Sequence, residues 1–443
     1  MSTDLSNINL ILYIIAWLLT YLIYKNKNKS FSVVSLILLT ELSLSVISAF
    51  LYNDPLSYVK DIKFFPFIYL FSLTIISILP LVKVPYARIN AIQKPSNLLI
   101  NTFCICFIFA AVLQLPSTIM NFKSGVVTMM MDVSLGADMY SEHLSNADSV
   151  GDGAISNLPS IITNTFGDIA IFFSLYYISL KQKNRIFTIG LIISILVLLV
   201  QPISSGMRGQ TVLRIISIIT SYVILYKFYD DKLNKIVKIV LLVSLIAISL
   251  PIVAITVSRF GERDGGSLYS VTSYLGQANL NFNNYVLDSN GIRYGDRTAN
   301  LFKSLFVDNV PENFVERRMK YPHMKISDET YSTYVGDIVL DYGPFSAPVL
   351  FIIFSLLISK SLRRVGDVIP FHKLLLIYFV ACVMMQGSFY LFPYSDVGGN
   401  LALIAYFLMY MVFRYDYKQK IKINKYDSCN CIISASIPPN SGK

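Results

Sequence analysis

Arg208 is the residue whose type and setting most suggest chemistry. It lies in the stretch Ser205-Gly206-Met207-Arg208-Gly209, in a very short connection between two apolar runs. A guanidinium with glycine neighbours can present its planar fork of donors to a phosphate or a diphosphate. An arginine at such a position can instead extend its charged end to lipid head groups. The flanking glycines clear space around the side chain, and we therefore favour anion binding.

Two more arginines, Arg259 and Arg263, begin the longest polar tract of the chain, residues 258–343. The apolar run before this tract places them at the membrane face that also carries the first arginine. Neighbouring helices would then gather three cations over one cavity. Glu262 and Asp264 alternate with these arginines. A locally neutralised, solvated loop is therefore an equally good interpretation.

The polar tract contains four further arginines, which are weaker candidates. Arg293 and Arg297 lie four positions apart, between glycine and aspartate residues. The adjacent Arg317 and Arg318 have the pattern of an ordinary surface pair. We therefore keep only Arg293 and Arg297 as candidate substrate-binding residues.

Aromatic and acidic side chains of the same tract complete the candidate site. Aromatic faces suit the CH faces of a sugar, although the packing of a folded loop explains them equally well. Tyr331 and Tyr334 are the aromatic residues that we expect to contact a substrate. A catalytic base would be a carboxylate or a histidine. The candidates are Asp337, Asp341, Glu262 and His323, of which Asp341 is also a candidate substrate contact.

Arg214 lies deeper in the apolar run that follows Arg208. A cation within a membrane needs a partner and faces the interior of the helix bundle. The candidate partners are Asp168 and Glu41, which also occur within apolar runs. We favour a structural ion pair, with Arg214 and Asp168 as substrate contacts in the alternative interpretation.

The composition shows which elements must position these residues. The chain has 443 residues, of which 54% are hydrophobic and only 14% charged, and its mean hydropathy is +0.57. A soluble protein of this size does not normally have this balance. The sequence therefore predicts an all-α polytopic membrane protein. The net charge of +10 marks membrane topology, and we expect no nucleic-acid partner.

Apolar runs of about 20 residues, the length that crosses a bilayer, recur along the chain. The first begins without a basic leader or a small-residue cleavage site, and is interpreted as a retained span. The eleven predicted spans are residues 8–24, 31–51, 64–81, 98–115, 161–180, 186–203, 211–226, 236–257, 338–359, 374–390 and 401–413.

Lysine and arginine concentrate in alternate connections, with Lys60 and Lys63 as the clearest exception. The positive-inside rule makes the odd-numbered connections and the basic tail, residues 414–443, cytoplasmic. The N-terminus and the even-numbered connections are then exterior. Four regions follow from this topology. They are residues 1–257 with eight spans and an exterior loop at 116–157, the large exterior loop 258–337, residues 338–413 with three spans, and the tail.

Within the first exterior loop, Met129, Met130 and Met131 suggest a short helix lying in the membrane interface. The usual motifs for a metal ion or a nucleotide cofactor are absent from the sequence. No Asp-x-Asp pair occurs in the exterior loops, no His-x-x-x-His occurs anywhere, and the glycine patterns of nucleotide-binding loops are missing. Cys429 and Cys431 are too close for the usual zinc pair. We therefore expect no cofactor and no metal.

The chain resembles the bacterial O-antigen polymerase family, also called Wzy-type oligosaccharide repeat unit polymerases. The resemblance rests on the number of spans, the long exterior loop before the last spans, the Ser-Gly-Met-Arg-Gly stretch ahead of a span, and residues 331–343 running into one. The spaced Arg-x10-Gly pattern of this family is missing, because Ser270 follows Arg259 at that distance and Tyr274 follows Arg263. The resemblance implies a GT-C-like architecture in the bacterial inner membrane.

The resemblance also implies a metal-independent, inverting glycosyl transfer at the exterior face. A polyprenyl-pyrophosphate-linked glycan would be the donor, and a hydroxyl of another lipid-linked repeat unit would attack it. Arg208, Arg259 and Arg263 would stabilise the departing diphosphate. The expected partners are these lipid-linked oligosaccharides, membrane lipid and a chain-length regulator protein. Two alternatives stay open: an O-antigen ligase and a lipid-linked oligosaccharide flippase.

Overall fold

The computed structural model describes residues 2–59, 61–131, 158–181, 183–204, 208–239, 242 and 266–434. These residues form a helical bundle with one two-stranded sheet. The first seven helices are α1 (Ser2–Lys27), α2 (Val33–Tyr52), α3 (Phe64–Val82), α4 (Asn97–Met131), α5 (Leu158–Ser179), α6 (Arg185–Ser204) and α7 (Arg208–Leu225). The others are α8 (Gly266–Asn281), α9 (Asn300–Ser304), α10 (Phe314–Lys320), α11 (Thr333–Tyr342), α12 (Ser346–Ser361), α13 (Phe371–Gly387) and α14 (Asp396–Ser434).

Eight of the helices in the described part of the chain are long and apolar enough to cross a membrane, namely α1 to α7 and the first part of α14. They coincide with eight of the predicted spans. The shorter apolar helices α12 and α13 coincide with the ninth and tenth. The eighth predicted span, residues 236–257, lies mostly outside the described residues. The described residues are thus predominantly helical, and their long apolar helices indicate a membrane protein.

The ninth predicted span, residues 338–359, is divided in the structure. α11 ends at Tyr342 and α12 begins at Ser346, because Gly343 adopts a φ of +84°. A side chain rarely tolerates this left-handed conformation. The amino-terminal part of the predicted span therefore does not continue into the membrane helix, and it packs among the polar loop residues instead.

Two other helices extend beyond their predicted ends. α4 continues to Met131, so the methionines at its end do not start a separate interfacial helix. α14 continues to Ser434, so the first part of the predicted tail is helical. Both extensions are polar or mixed in sequence, which is why hydropathy alone does not include them.

A two-stranded sheet lies at one end of the helical bundle, and residues 266–345 cover the other end. At one end, strand β1 (Ala91–Gln93) pairs in parallel with β2 (Val368–Pro370), and we call this end the strand face. These strands belong to the third and ninth connections, for which the charge pattern predicts a common side. The structure places both connections at one end of the bundle.

The opposite end is covered by residues 266–345, which we call the cap. Asn281 accepts a hydrogen bond from the Tyr58 hydroxyl at 3.2 Å, and Asn283 bonds both backbone groups of Lys63. The cap is therefore attached to the second connection. α8 lies against α2, where the Ser48 hydroxyl donates to the Gly276 carbonyl at 2.8 Å.

Aromatic packing sets the position of α5 against α13. The rings of Phe172 and Tyr378 stack with centroids 4.4 Å apart. The Tyr378 hydroxyl donates to the backbone carbonyl of Asp168 at 2.8 Å. α5 is thereby held against α13 at the level of Asp168, a residue of the candidate site.

Candidate functional site

α11 presents two carboxylates to the interior of the cap. Asp337 and Asp341 lie four positions apart, so they share one face of the helix, and both are fully buried. The Nε atom of Arg293 lies 2.7 Å from an Asp341 oxygen, and Nη1 of Arg297 lies 2.7 Å from an Asp337 oxygen. The structure thus brings together four residues that the sequence singles out.

A second layer continues this arrangement toward the start of α14. Asp328 accepts hydrogen bonds from Arg293 and Arg317. Burial alone would raise the pKa of Asp328, but the two guanidinium groups hold that pKa below its usual range. Arg317 in turn pairs with Asp396 at 2.8 Å. Arg317 is therefore an interior residue, and its interpretation as part of a surface pair is wrong.

A third cluster of the cap surrounds Asp296. Its carboxylate pairs with Lys303 and Lys320 and accepts a hydrogen bond from the Tyr321 hydroxyl at 2.7 Å. These bonds outweigh the effect of burial, and the pKa of Asp296 is lowered. With this cluster included, we use the name cap network for Arg293, Arg297, Arg317, Lys303, Lys320, Asp296, Asp328, Asp337, Asp341 and Asp396.

The cap network contains five cations and five carboxylates, so its formal charges cancel. The Arg293 and Arg317 side chains are only 2% exposed. Burial alone would lower the pKa of Arg293, yet Asp341, Asp328 and Asp337 raise it. A neutralised and buried network has little capacity to attract a soluble anion. Its geometry fits the task of holding protein segments together.

The segment that the network holds is the link between α13 and α14. The backbone amide of Leu391 donates to Asp337 at 2.7 Å, and the amide of Asp396 donates to the Arg297 carbonyl at 2.8 Å. Asp396 also has a φ of +55°, which is uncommon for a residue with a side chain. Its conformation is therefore fixed by bonds to the cap.

Asp396 faces a cavity of about 460 Å3. The cavity lies between α5, α7, α13 and α14 at the end of the bundle that the cap covers. Apolar side chains such as Ile161 and Leu401 form much of its wall. Its polar lining consists of Asn164, Thr165, Asp168, Gln210, Arg214, Gln386, Ser395 and Asp396.

Arg214 is the basic residue of the cavity wall. Its Nη1 atom lies 2.5 Å from an Asp168 oxygen, and Nη2 donates to the Asn164 carbonyl at 3.2 Å. Of the two candidate partners that the sequence offers for Arg214, the structure shows Asp168 in the ion pair. Gly167 makes room for this arrangement, because a Cβ atom there would lie 2.8 Å from the guanidinium carbon.

Asp168 has further partners on α7 and α13. The Ser217 hydroxyl donates to one of its oxygens at 2.8 Å, and the Gln386 amide donates to the other at 3.2 Å. Both oxygens are therefore bonded within the protein. The carbonyl oxygen of Gln386, a residue only 1% exposed, has no hydrogen-bond partner among the described residues. A ligand donor in the cavity would satisfy it.

Glu41, the other candidate partner of Arg214, lies elsewhere in the bundle. It is buried and accepts a hydrogen bond from the Ser388 hydroxyl at 2.8 Å. Glu41 therefore joins α2 to the end of α13 and does not contribute the ion pair that Arg214 requires.

A smaller apolar groove of about 150 Å3 runs beside the cavity, on the other side of Leu213. Tyr331 lines this groove, stacked on Tyr390 at 4.4 Å and in edge contact with Tyr274 at 4.8 Å. Tyr334, in contrast, packs against Phe351 and is buried in the bundle. Only the first of the two tyrosines that the sequence singles out lies next to the cavity.

Two of the remaining predicted residues, Arg208 and His323, lie in the described part of the chain, and the others do not. Arg208 is the first residue of α7, two positions before Gln210 in the cavity wall. Arg259, Arg263 and Glu262 lie outside the described residues. His323 is exposed, stands against Gly291 and does not line the cavity.

Sequence reasoning misses Asp396, Gln386 and the interior role of Arg317. A signal for Asp396 is present, because it is an acidic residue followed by Gly398 and Gly399 at the start of an apolar run. In the described part of the chain, no group of three His, Cys, Asp or Glu side chains could hold a metal ion.

Comparison with known proteins adds no further assignment to this site. No protein-family model matches the chain. Searches of curated proteins and of solved structures also give no match. The chemistry of the site is therefore interpreted from its own residues.

Proposed function

We propose that the protein is an oligosaccharide repeat unit polymerase of the O-antigen type. In this proposal it transfers a polyprenyl-pyrophosphate-linked glycan to a second lipid-linked repeat unit at the exterior face of the bacterial inner membrane. The observation that carries the proposal is the cavity of about 460 Å3 between membrane helices. Its wall combines a guanidinium, a carboxylate and apolar side chains, which match a diphosphate, a sugar hydroxyl and a lipid.

The leaving diphosphate would lie near the start of α7. The first turn of a helix exposes backbone amide groups and carries partial positive charge, both of which favour a phosphate. Gln210 and Arg214 line the cavity from this part of α7. Arg208 begins the helix and would add a third donor group. These fixed donors would stabilise the negative charge that develops on the diphosphate.

Asp396 is the carboxylate that we assign to the acceptor. Its side chain is 28% exposed and lines the cavity, whereas both oxygens of Asp168 are bonded to protein groups. Asp396 would take the proton from the acceptor hydroxyl as its oxygen attacks the anomeric carbon. The bond from that carbon to the diphosphate oxygen breaks, and the electron pair leaves with the diphosphate. Attack from the opposite side inverts the anomeric configuration.

The other members of the cap network would position Asp396 and would not touch the substrates. Asp337, Asp341, Arg293 and Arg297, which the sequence singles out as catalytic or substrate-binding, are buried in that network. We therefore assign them a positioning role. They hold the link between α13 and α14 in the conformation that turns Asp396 toward the cavity.

The proposal is tested with full-length protein in liposomes that contain lipid-linked repeat units, with and without a lipid core as a second acceptor. Chain growth without an added sugar nucleotide is expected, because the donor already carries its activated glycan. Transfer only to a lipid core would identify a ligase. Movement of the substrate across the bilayer without bond formation would identify a flippase, and either result would overturn the proposal.

The Arg208→Lys variant tests the assigned diphosphate site in the same assay. An ammonium cannot reproduce two parallel hydrogen bonds, so chain growth is expected to fall sharply. Wild-type chain growth in this variant would remove Arg208 from the site. Arg88→Lys, at an exposed position in the third connection, is the matched control and should leave chain growth unchanged.

A further inference from the structure

A second cavity, of about 320 Å3, lies at the strand face, at the opposite end of the bundle from the cap. It is bounded by β1, by the C-terminal end of α5 and by the short helix Tyr226–Phe228 that follows α7. The proposed glycosyl transfer makes no use of this cavity. The charged residues that line it are nevertheless all of one sign.

Three lysines line this cavity, namely Lys94, Lys181 and Lys227, and no aspartate or glutamate lines it among the described residues. Like charges that converge without a carboxylate repel one another, and a bound anion would remove that repulsion. Each ammonium also offers hydrogen-bond donors and no acceptor. The cavity therefore favours a ligand that is rich in acceptor oxygens.

The lysines are not explained by capping of α5. Positive side chains often stabilise the C-terminal end of a helix. Here the Nζ atom of Lys183 supplies that contact by donating to the Ile178 carbonyl at 2.6 Å. Lys183 does not line the cavity, whereas Lys181 does. Lys227 also donates to the Tyr86 carbonyl. The positive-inside rule accounts for lysines at this end of the bundle, but not for the presence of three of them around one cavity.

Tyr176 provides an independent observation. Its side chain lines the cavity and is only 1% exposed, and its hydroxyl has no hydrogen-bond partner among the described residues. A buried hydroxyl without a partner is destabilising by about 1 to 3 kcal/mol unless a ligand or water satisfies it. Tyr176 belongs to the wall of the cavity formed by α5, and a rotation of its side chain would bring the buried hydroxyl to a ligand oxygen there.

We propose that this cavity binds a phosphate group, carried by the head group of an anionic membrane lipid or by a soluble phosphate compound. The phosphate oxygens would accept hydrogen bonds from the three lysines and from the Tyr176 hydroxyl. The volume of about 320 Å3 accommodates a glycerol phosphate head group. The location at an end of membrane-crossing helices places the cavity at the depth of lipid phosphates.

The test measures ligand-induced stabilisation of the full-length protein in neutral detergent. The probes are phosphatidylglycerol, a galactolipid without phosphate, and inorganic phosphate. Phosphatidylglycerol is expected to raise the unfolding temperature of the wild type, and the galactolipid is not. A rise with inorganic phosphate as well identifies a soluble anion as sufficient, and a rise with the lipid alone identifies the head group. Equal effects of both lipids, or no effect of any probe, would overturn the proposal.

Lysine variants test whether the ligand that stabilises the protein binds in this cavity. A lysine near an anionic surface contributes about 1 kcal/mol, so a triple variant with Gln at positions 94, 181 and 227 should bind about 100-fold more weakly. The matched control carries Gln at positions 83, 232 and 235, which are exposed lysines outside the cavity wall. An equal loss of binding in this control would overturn the proposal, because general surface charge would then explain the effect.

Two single variants keep the test decisive if the triple variant does not fold. Lys181→Gln changes an exposed residue and should weaken binding about fivefold. Tyr176→Phe removes the unsatisfied hydroxyl, so it should weaken phosphate binding without lowering the stability of the protein measured without ligand. Unchanged binding in both variants would refute the site.

Discussion

Arg317 and Asp396 form an ion pair with a separation of 2.8 Å, and this pair joins the cap to the cavity between the membrane helices. Arg317 also bonds Asp328 and the Asp296 carbonyl within the cap. Asp396 lines the cavity. The position of one carboxylate in the membrane-level cavity is thus set by a network built from residues far away in the sequence.

Replacing Arg317 with alanine should destabilise the protein strongly. Asp328 and Asp396 would lose a common partner, and the removal of one member of a buried charged network costs about 3 to 5 kcal/mol. Thermal unfolding of the purified protein measures the change. The neighbouring Arg318→Ala variant is the control, because Arg318 is 51% exposed and pairs with the exposed Glu329. It should change stability by less than about 1 kcal/mol. Equal unfolding temperatures for the two variants would contradict the interior role of Arg317.

Asp396→Asn should reduce the maximal rate of chain growth by about 100-fold or more, the usual contribution of a general base. The rate of the wild type should rise with pH as the base loses its proton, whereas the residual rate of the variant should not follow that titration. Steady-state rates at several pH values measure both effects. Asp288→Asn, at an exposed carboxylate paired with Lys325, should behave like the wild type. A variant that keeps the wild-type pH profile would exclude Asp396 as the base.

The sequence predicts the membrane elements well because hydropathy and loop charge depend on local composition. It also predicts that Arg214 has a buried carboxylate as its partner, since an intramembrane cation needs one. The sequence could not choose between Asp168 and Glu41. That choice depends on which helices are neighbours, and α5 lies beside α7 and α13, where Ser217 and Gln386 also bond Asp168.

The cap is predicted less well, for a physical reason. Asp337 and Asp341 are recognisable from their spacing on one helix face. Their partners and the role of Arg317 depend on contacts between segments that have no regular hydrophobic period. The sequence shows many charges in a polar loop, and the ordinary expectation for such charges is solvent exposure. Burial of the three arginines with Asp337 and Asp341 follows only from the tertiary structure.

Gly167→Ala tests the position of Arg214 without changing a charge. The new Cβ would lie 2.8 Å from the guanidinium carbon, so the Arg214 guanidinium must shift from its observed position. Misplacement of a substrate-binding group by about 1 Å can lower a rate by about 100-fold. Chain growth in liposomes measures the loss. Gly366→Ala should have no effect, because nothing lies within 4 Å of the Cβ atom that alanine would add there. Normal chain growth in Gly167→Ala would show that Arg214 does not have to occupy its observed place.

Acid should weaken the cap through Asp328. The folded protein lowers the pKa of this carboxyl below its ordinary value of 3.8. The resulting stabilisation is therefore fully present above the unfolded pKa and is lost as the pH falls through the folded pKa. We expect the unfolding temperature to respond to this group only below about pH 4. Asp328→Asn should be less stable at neutral pH and should lose stability less steeply in acid. An identical acid response in both proteins would rule out this linkage.

Gly343→Ala should disturb the boundary between the cap and α12. The backbone there has a φ of 84° and a ψ of 162°, a region that is essentially restricted to glycine, and a residue with a side chain in it is strained by about 1 to 3 kcal/mol. An added Cβ would also lie 2.8 Å from the Cδ1 atom of Ile292. Combining the change with Ile292→Ala removes the steric contact and leaves the backbone strain.

The double variant separates these two causes. The unfolding temperature of Gly343→Ala/Ile292→Ala is compared with that of Ile292→Ala alone, so that the loss of the Ile292 side chain cancels. A remaining decrease measures the cost of the left-handed backbone at position 343. If alanine there caused no decrease in either background, position 343 would not require glycine, and Pro344 would be sufficient to end α11. The division between α11 and α12 would then not depend on this glycine.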